Sequence, residues 1–263
     1  MQKYLIKAIN LVNEDRITTA DVLLCNQRIE KIAPQIDKEN GVTEINGEGR
    51  YLLPGAIDDQ VHFREPGLTH KANIYTESRA AVAGGVTSFM EMPNTAPAAL
   101  TQDLLEEKYN IAAATSLANY SFFMGTSNDN ADDVLRTNDK KRDICGIKIF
   151  MGSSTGNLLV DNYLTIDKIF RESEVLIATH CEEESMVTEA YQRIKAGKEN
   201  LEPADHPLIR DEEACFESSF KAVQLAKRHN TRLHILHITT ERELQLFTNM
   251  LPLREKRITA EVC

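Results

Sequence analysis

The sequence predicts an α/β protein in which a small N-terminal β domain precedes most of a (β/α)₈ barrel. Residues 1–53 contain β-like runs joined by turns, with no helical stretch between them. From Gly55 onward, short apolar runs alternate with helical stretches. This alternation indicates a parallel sheet, and the number of repeats favours a closed barrel over a doubly wound sheet. No Gly-x-Gly-x-x-Gly or Walker loop supports the doubly wound alternative.

The N-terminal β domain, residues 1–53, is predicted to be a half-sandwich. Its β-like runs are residues 4–12, 20–32 and 42–53. Strands joined by turns pair antiparallel, and so small a sheet needs another layer against which it can pack. We therefore expect a C-terminal segment beyond residue 263 to complete this domain.

The barrel, residues 54–263, is predicted to contribute strands one to seven. The predicted strands are 56–63, 86–92, 119–125, 146–151, 175–181, 232–238 and 257–262. The predicted helices are 73–83, 101–114, 131–137, 165–172, 182–196, 211–229 and 240–253. A barrel without an eighth strand would leave two exposed sheet edges, which soluble proteins avoid. We therefore expect this chain to be the N-terminal part of a longer protein.

Composition and charge exclude several classes of protein. The chain is 42% hydrophobic and 27% charged, as globular proteins are. Its net charge of −10 argues against nucleic-acid or anionic-membrane partners, because both attract basic surfaces. The five cysteines are widely spaced without a Cys-x-x-Cys pair, which favours a reduced, cytoplasmic setting over a disulfide framework. No apolar run reaches the roughly 18 residues of a membrane span.

Three predicted strands carry a histidine as their next-to-last residue. His62, His180 and His237 follow apolar residues at the C-terminal ends of strands one, five and six. A barrel carries its active site at this end, and imidazoles are ligands of catalytic zinc. A single such histidine is more often a core or rim residue, but the shared register of all three favours a metal site. His234 lies three residues before His237 and therefore points to the opposite face of the strand.

Lys148 is predicted to point into the barrel, because Ile147 and Ile149 share the opposite face of strand four. A buried lysine tends to be neutral. A neutral amine near a metal can capture carbon dioxide and become a carbamate, an anionic ligand able to bridge two cations. The alternative is a lysine paired with a carboxylate such as Glu91, and the sequence leaves both open.

Six motifs occur in an order typical of one enzyme family. They are His-Phe-Arg-Glu-Pro-Gly (62–67), Glu-Met-Pro-Asn-Thr (91–95), Gly-Ile-Lys-Ile-Phe-Met-Gly-Ser-Ser-Thr-Gly (146–156), Thr-His-Cys-Glu (179–182), His-Pro-x-Ile-Arg-x-x-Glu-Ala (206–214) and Leu-His-Ile-Leu-His-Ile-Thr-Thr (233–240). Together they resemble the dihydroorotases of the amidohydrolase superfamily. The resemblance spans residues 50–263. Allantoinases and hydantoinases have similar metal ligands but differ at Arg64 and Asn94.

This resemblance implies a TIM-type barrel and a metal-dependent hydrolase that acts on a cyclic amide. Its reaction would interconvert N-carbamoyl-L-aspartate and (S)-dihydroorotate in pyrimidine biosynthesis, with one or two Zn²⁺ ions as cofactor. By the same resemblance, His62 binds the first metal, Lys148 is the carboxylated bridging lysine, and His180 and His237 hold the second metal.

The resemblance also assigns a substrate site and reveals two departures from the family. Arg64 and Asn94 would bind the substrate carboxylate. Gln60 stands where the family's first strand has a histidine, and an amide oxygen is a poorer zinc ligand, so the first metal site is expected to be weak or empty. The family's catalytic aspartate of strand eight is expected beyond residue 263, and no catalytic residue is therefore assigned here.

Two other functions remain open. A hydantoinase or allantoinase would share the metal site, and a non-catalytic dihydroorotase-like subunit would instead scaffold a partner such as aspartate transcarbamoylase. Gln60 favours the scaffold, whereas Arg64 and Asn94 count against it, because a scaffold has no use for a substrate site. The expected partner is a small-molecule substrate, with no nucleic acid or membrane, and with a homo-oligomer as a possible assembly.

Overall fold

The computed structural model of the protein describes residues 2–152 and 156–262 of the chain. The chain divides into two compact units, Met1–Ala56 and Ile57–Cys263. The sequence predicts the boundary slightly earlier, after residue 53. The Ser-Ser-Thr part of the motif at 146–156 and the last cysteine, Cys263, lie outside the described residues.

The first unit is a five-stranded sheet. Its central strand β1 (Lys3–Asn13) lies between β2 (Arg16–Cys25) and β4 (Thr43–Asn46), and β3 (Arg28–Ala33) pairs with β2. The short β5 (Tyr51–Leu52) pairs with β1 beyond β4. Strands β1, β2 and β3 are antiparallel, as predicted. In contrast, β4 and β5 run parallel to β1, so the prediction of antiparallel pairing is wrong for residues 42–53.

Connections in the first unit explain where the sequence prediction is wrong. Parallel pairing needs a crossover connection rather than a tight turn, and residues 34–42 provide one between β3 and β4. Asn26 adopts a left-handed backbone conformation (φ 54°) that separates β2 from β3 inside the single run predicted at 20–32. Asparagine is among the few residues that adopt this conformation readily.

Asp21 is a buried carboxylate that holds an irregularity in β1. Ala8 has a left-handed backbone (φ 53°), and the register of β1 against β2 shifts at this point. Asp21 Oδ1 accepts a hydrogen bond from the Ala8 amide (2.8 Å), Oδ2 accepts one from the Ile36 amide (2.8 Å), and the carboxylate pairs with Lys7. Burial alone would raise the pKa of Asp21, but these hydrogen bonds lower it overall, so the carboxylate stays charged.

The second unit is built on a seven-stranded sheet in the order β12-β11-β10-β9-β8-β7-β6. Its strands are β6 (Ala56–Val61), β7 (Val86–Glu91), β8 (Asn119–Gly125), β9 (Gly146–Phe150), β10 (Ile177–His180), β11 (Leu233–Ile238) and β12 (Ile258–Val262). Neighbouring strands from β7 to β12 run parallel. The sheet is curled, because Asp59 at one end of the strand order lies 3.7 Å from His234 near the other.

Helices alternate with these strands. They are α1 (Ile74–Gly84), α2 (Gln102–Thr115), α3 (Ala131–Leu135), α4 (Tyr163–Glu172), α5 (Glu184–Ala196), α6 (His206–Ile209) and α7 (Glu212–His229). The helix predicted at 240–253 is wrong: 3₁₀ turns lie at Arg242–Leu246 and Leu253–Glu255, and Pro252 disfavours helical backbone in the residue before it. No helix in the described part of the chain has the length and apolar character that a bilayer crossing needs.

Capping side chains explain why several helices begin where they do. Asn73 accepts a hydrogen bond from the Thr76 amide (2.9 Å) at the start of α1. Asp211 does the same for the Ala214 amide (2.9 Å) at the start of α7. Each side chain satisfies an amide that has no partner inside its helix. These caps therefore fix the points at which the chain leaves a loop and enters a helix.

Alternate residues of the strands face opposite sides of the curled sheet. One side packs against the helices in a large apolar core, which includes Ile147 and Ile149 of β9. A smaller apolar cluster lies on the other side of the sheet and consists of side chains from the alternate strand positions: Met92, Phe123, Ala178 and Leu236. Because a strand has a period of two, polar residues in register with this second set point into the curl of the sheet.

We expect Asp21→Ala to destabilise the first unit by about 2–4 kcal/mol, because the buried Ile36 amide and the partly buried Ala8 amide lose their acceptor and Lys7 loses its ion-pair partner. Hydrogen exchange at the Ala8 and Ile36 amides should accelerate strongly. The control is Asp37→Ala, which removes an exposed carboxylate and should change neither rate. Unchanged protection of both amides in Asp21→Ala would show that the carboxylate is not what holds the irregularity.

Candidate metal centre

A cavity of about 530 Å³ opens where several strands of the second unit end. Gln60 of β6, His180 of β10 and His237 of β11 line it, together with Glu182 and Arg210 from the loops that follow β10. Each of the three strands contributes a residue within its last two positions. The C-terminal ends of parallel strands are where barrel proteins place their chemistry, so this cavity is the candidate site.

His180 and His237 meet directly in this cavity. His180 Nδ1 lies 3.1 Å from His237 Nε2, and the ring planes cross at 68°. With zinc–nitrogen bonds of about 2.0–2.1 Å, two imidazoles on one tetrahedral zinc hold their ligand atoms about 3.3 Å apart. The observed separation is close to this value. The two nitrogens could therefore share a proton or bind one cation.

His237 is held in a form suited to metal binding. Burial lowers its pKa to about 4, and the charges of His180 and Lys148 act in the same direction. The imidazole is therefore neutral at neutral pH, and a neutral imidazole is the form that binds metals. Its backbone is left-handed (φ 42°), and the Glu261 carboxylate accepts a hydrogen bond from the His237 amide (3.2 Å).

His234 has different partners from His237. Its Nδ1 lies 2.8 Å from Thr259 Oγ1, and its Nε2 lies 3.4 Å from Glu261 Oε2. Asp59, His234 and Glu261 bring three potential ligand atoms within 4.8 Å of one another. Glu261 also holds the backbone of His237, so this group lies beside the histidine pair and supports its geometry.

Lys148 is buried in the curl of the sheet without a hydrogen-bond partner. Its side chain is 1% exposed, and its Nζ makes no hydrogen bond within the described residues. The Nζ lies 4.4 Å from the centre of the Phe150 ring. Burial lowers the pKa of Lys148 to about 7, although Cys181 and Glu261 act in the opposite direction. Its charge in turn lowers the pKa of both His62 and His237.

The alternative in which Lys148 pairs with Glu91 is wrong. Glu91 forms an ion pair with Lys108 of α2 instead, at 2.7 Å, and both side chains are 1% exposed. Glu91 also accepts a hydrogen bond from the Phe63 amide (3.1 Å), and Lys108 donates one to the Met92 carbonyl (2.9 Å). Burial raises the pKa of Glu91 and lowers that of Lys108. This pair ties together the ends of β6 and β7.

His62 is bound to Asn94 rather than to the other two histidines. His62 Nδ1 donates to Asn94 Oδ1 at 2.8 Å, which leaves the Nε2 lone pair available to a cation. Burial lowers the pKa of His62, and the charge of Arg64 lowers it further. Arg64 is half-buried and has a left-handed backbone (φ 71°). A left-handed conformation is strained for an arginine and is most common at functional sites.

The loops that carry Arg64 and Asn94 pack tightly against each other. The Ala96 amide donates to the Pro66 carbonyl (3.1 Å). Gly67 has a left-handed backbone (φ 83°), and a Cβ atom there would lie 1.8 Å from the Ala96 carbonyl oxygen. Only glycine fits this position. The close contact fixes the distance between the two loops.

Glu182 and Arg210 belong to the site although the sequence gives them no role. Glu182 Oε2 lies 2.7 Å from His180 Nε2, and Arg210 Nε lies 2.6 Å from Glu182 Oε1. Burial would raise the pKa of Glu182, but hydrogen bonds with His180 and Arg210 lower it to about 2. Both residues lie in loops, where strand periodicity predicts nothing. Their presence in the motifs 179–182 and 206–214 is the only signal.

Two cysteines also line the cavity, Cys181 and Cys215. Burial raises the pKa of Cys181, and it raises that of Cys215 to about 12. Thiols bind zinc as thiolates, so both are poor ligands in this setting. The four described cysteines are free, as the spacing predicts.

Comparison with known proteins agrees with the motif order. The dihydro-orotase-like family profile matches residues 49–132. A dihydroorotase from Methanosarcina acetivorans is 31% identical over 245 residues, which are 89% of this chain and 50% of that protein. The chain is related to the dihydroorotases. The predicted resemblance is therefore confirmed, and the chain spans about half the length of the curated relatives it matches.

Other relatives act on different cyclic amides. An allantoinase from Solibacter usitatus is 28% identical over 250 residues, 92% of this chain and 53% of that protein. The L-hydantoinase (dihydropyrimidinase) structure from Arthrobacter aurescens superimposes with a TM-score of 0.85 at 25% identity, over 94% of this chain and 55% of that one. The predicted fold class, a barrel-type parallel sheet with a separate N-terminal sheet, is confirmed.

Gln60 lines the cavity, and the resemblance to the dihydroorotases implies a metal-binding histidine at this position. We expect a chelator to remove bound zinc in two steps, with the weaker step from the His62 side, because an amide oxygen is a weaker ligand than an imidazole. Gln60→His should merge the steps. Gln192→His, an exposed position on α5, is the control and should leave both steps unchanged. Single-step loss of two zinc ions from the unmodified protein would contradict this expectation.

Proposed function

We propose that the protein is a zinc-dependent dihydroorotase, which interconverts N-carbamoyl-L-aspartate and (S)-dihydroorotate in pyrimidine biosynthesis. One observation carries the proposal: the Lys148 amine is buried, and its Nζ makes no hydrogen bond among the described residues. Its relatives named dihydroorotase support the substrate. The conversion to dihydroorotate forms a ring amide with loss of water, and the reverse reaction hydrolyses it.

The residues of the cavity fit a zinc ion. His180 and His237 would hold this ion, His62 would hold another, and a carboxylated Lys148 would bridge the two. Bound zinc lowers the pKa of water and polarises carbonyl oxygens, which is the chemistry that amide hydrolysis needs. None of these side chains is an anion before modification, so the site needs one to balance a divalent cation.

Lys148 can supply that anion. Its pKa of about 7 means that a large fraction of the side chain is the free amine at neutral pH. The nitrogen lone pair can then form a bond to the carbon of carbon dioxide with loss of one proton, which gives a carbamate. A carbamate carries one negative charge on two oxygens, which could bind a metal ion. The Lys148 side chain would then have the polar contacts that its Nζ does not make among the described residues.

Arg64 and Asn94 would bind the substrate beside this centre. The substrate carries a carboxylate, and a guanidinium can hold a carboxylate with two parallel hydrogen bonds. Arg64 lies close enough to His62 to shift its pKa, and Asn94 contacts His62 directly. If the substrate carboxylate is bound here, the ring of the substrate lies next to the metal ligands. Hydrolysis requires this orientation of the ring.

Two alternatives are weaker on the same observations. Hydantoin and allantoin have no carboxylate, so a hydantoinase or allantoinase would leave Arg64 without a substrate partner. Gln60 favours a non-catalytic scaffold. A scaffold, however, gains nothing from a buried lysine that has no hydrogen-bond partner among the described residues. Such a lysine lowers the stability of the fold, and only a function of the amine would offset that cost.

The proposal includes the setting in which the enzyme works. We infer a small-molecule substrate, no nucleic-acid or membrane partner, a cytoplasmic location and a possible homo-oligomer. The net charge of −10 supports the expectation of no nucleic-acid or anionic-membrane partner, because polyanionic partners would be repelled.

Arg64→Met is expected to reduce kcat/KM for dihydroorotate by an amount equivalent to roughly 2–5 kcal/mol, the cost of losing a charged pair, with little change in stability. Unmodified protein should prefer dihydroorotate over hydantoin and allantoin in a spectrophotometric assay. Arg79→Met, an exposed position on α1, is the control. Wild-type efficiency in Arg64→Met, or a preference for hydantoin, would overturn the substrate assignment.

Lys148→Ala is expected to lose zinc and activity together, and short carboxylic acids should partly restore both. In the unmodified protein, incubation with ¹³C-bicarbonate should produce a carbamate carbon resonance that Lys148→Ala lacks. Lys168→Ala removes an amine at the surface of α4 and should keep the resonance. An active, zinc-loaded protein without any carbamate signal would refute the modification.

A further inference from the structure

The Glu182 carboxylate lies between an arginine and a histidine. Arg210 approaches with two nitrogens, Nε to Oε1 at 2.6 Å and a terminal nitrogen to Oε2. On its other side, Oε2 lies 2.7 Å from His180 Nε2. Glu182 is 5% exposed, so few water molecules compete for its oxygens. Both oxygens of the carboxylate are therefore directed by protein groups.

We propose that Glu182 and Arg210 are a positioning pair that fixes the ring orientation and the tautomer of His180. The inference rests on the proposed function, in which His180 binds zinc. Neither residue touches the substrate or the metal in this proposal. Both act through the histidine.

The tautomer follows from the donor and acceptor rules. A carboxylate only accepts hydrogen bonds, so the neutral His180 ring carries its proton on Nε2, which faces Glu182. Nδ1 then keeps its lone pair, and Nδ1 is the atom that lies 3.1 Å from His237 Nε2. Without Glu182, the proton could occupy either nitrogen. Partners of this kind around metal-binding histidines set both ring orientation and basicity.

Arg210 fixes the plane of the carboxylate. A guanidinium with two parallel contacts holds a carboxylate in one orientation, whereas an ammonium acts as a point charge. The position of Arg210 is itself fixed, because its amide donates to the His206 carbonyl (2.9 Å) at the end of α6. The Glu183 amide donates to the Ala214 carbonyl (2.9 Å), which ties the loop after β10 to α7. This assigns a role to the motif at 206–214.

A neighbouring ion pair provides a matched control. Glu183, the next residue in the chain, pairs with Lys221 at 2.6 Å, the same distance as the Arg210 Nε contact. Lys221 is 52% exposed, and Glu183 contacts Ser185 and Lys221 rather than a histidine. If the loss of an ion pair near α5 affected the site only by lowering the stability of the protein, Glu183→Gln would change the His180 tautomer and the zinc affinity as much as Glu182→Gln does.

The test uses long-range ¹H–¹⁵N NMR spectra of the histidine rings in metal-free protein, together with zinc affinity measured by chelator competition. We expect one His180 tautomer with the proton on Nε2 in the unmodified protein. Glu182→Gln and Arg210→Met should give a tautomer mixture and a 10–100-fold loss of zinc affinity, as is typical for such partners. For Arg210→Lys, the tautomer populations and the zinc affinity should lie between those of these two variants and those of the unmodified protein. Glu183→Gln should change neither readout.

The outcomes separate this inference from the proposed function. A single Nε2–H tautomer with unchanged zinc affinity in folded Glu182→Gln would overturn the positioning role. If that variant fails to fold, Arg210→Met decides by the same two readouts. If His180→Ala keeps full zinc affinity, the proposed metal site fails instead. The tautomer spectra of the metal-free protein still test the positioning role in that case.

Discussion

The burial of the Lys148 amine is the constraint on which the second unit depends. β9 is the fourth of seven strands, and the alternation of its side chains sends Ile147 and Ile149 to the helices and Lys148 to the inside of the curl. An ammonium in such a place has to be paired or has to lose its proton, because removing an unpaired charge from water costs several kcal/mol. Here no hydrogen bond pairs it among the described residues, and burial lowers its pKa to about 7. The Lys148 amine therefore contributes no hydrogen bond to the fold among the described residues.

Two buried carboxylates of the second unit are paired with cations other than Lys148. Glu91 is paired with Lys108, and Glu182 with Arg210. Each pair also forms hydrogen bonds with its surroundings. The Glu91–Lys108 pair contacts the backbone at the ends of β6 and β7, and Glu182 contacts the ring of His180. Burial keeps His237 neutral. Lys148 Nζ has no hydrogen-bond partner among the described residues, and in the proposed function a carbamate on this nitrogen would supply the negative charge that divalent cations need.

Periodicity in the sequence predicts the parts of this arrangement that lie on strands. The alternation of apolar residues identifies the strands of the curled sheet, and the shared register of His180 and His237 predicts their meeting. Periodicity fails where backbone geometry departs from the regular strand. The left-handed backbone at His237 and the crossover that makes β4 parallel to β1 depend on contacts from distant segments.

Loop residues and ion pairs were the least predictable features. Glu182 and Arg210 follow the strand ends, where no repeat governs which way a side chain points. Similarly, Glu91 is considered from the sequence only as a partner for Lys148, whereas it pairs with Lys108. The choice of Lys108 over Lys148 depends on how α2 packs against the sheet, which is a tertiary property. Motif order, in contrast, identified the relatives correctly. It depends only on the order of residues in the sequence and not on their contacts in three dimensions.

Zinc K-edge X-ray absorption of the purified protein loaded with one zinc ion tests the central claim most directly. Two imidazole nitrogens and further light oxygen or nitrogen ligands at about 2.0–2.2 Å, without sulfur, are the result that the histidine pair predicts. A sulfur ligand at about 2.3 Å would instead place the metal on Cys181 or Cys215. A single imidazole with carboxylate oxygens would place it on Asp59, His234 and Glu261, and either result would contradict a metal centre built on His180 and His237.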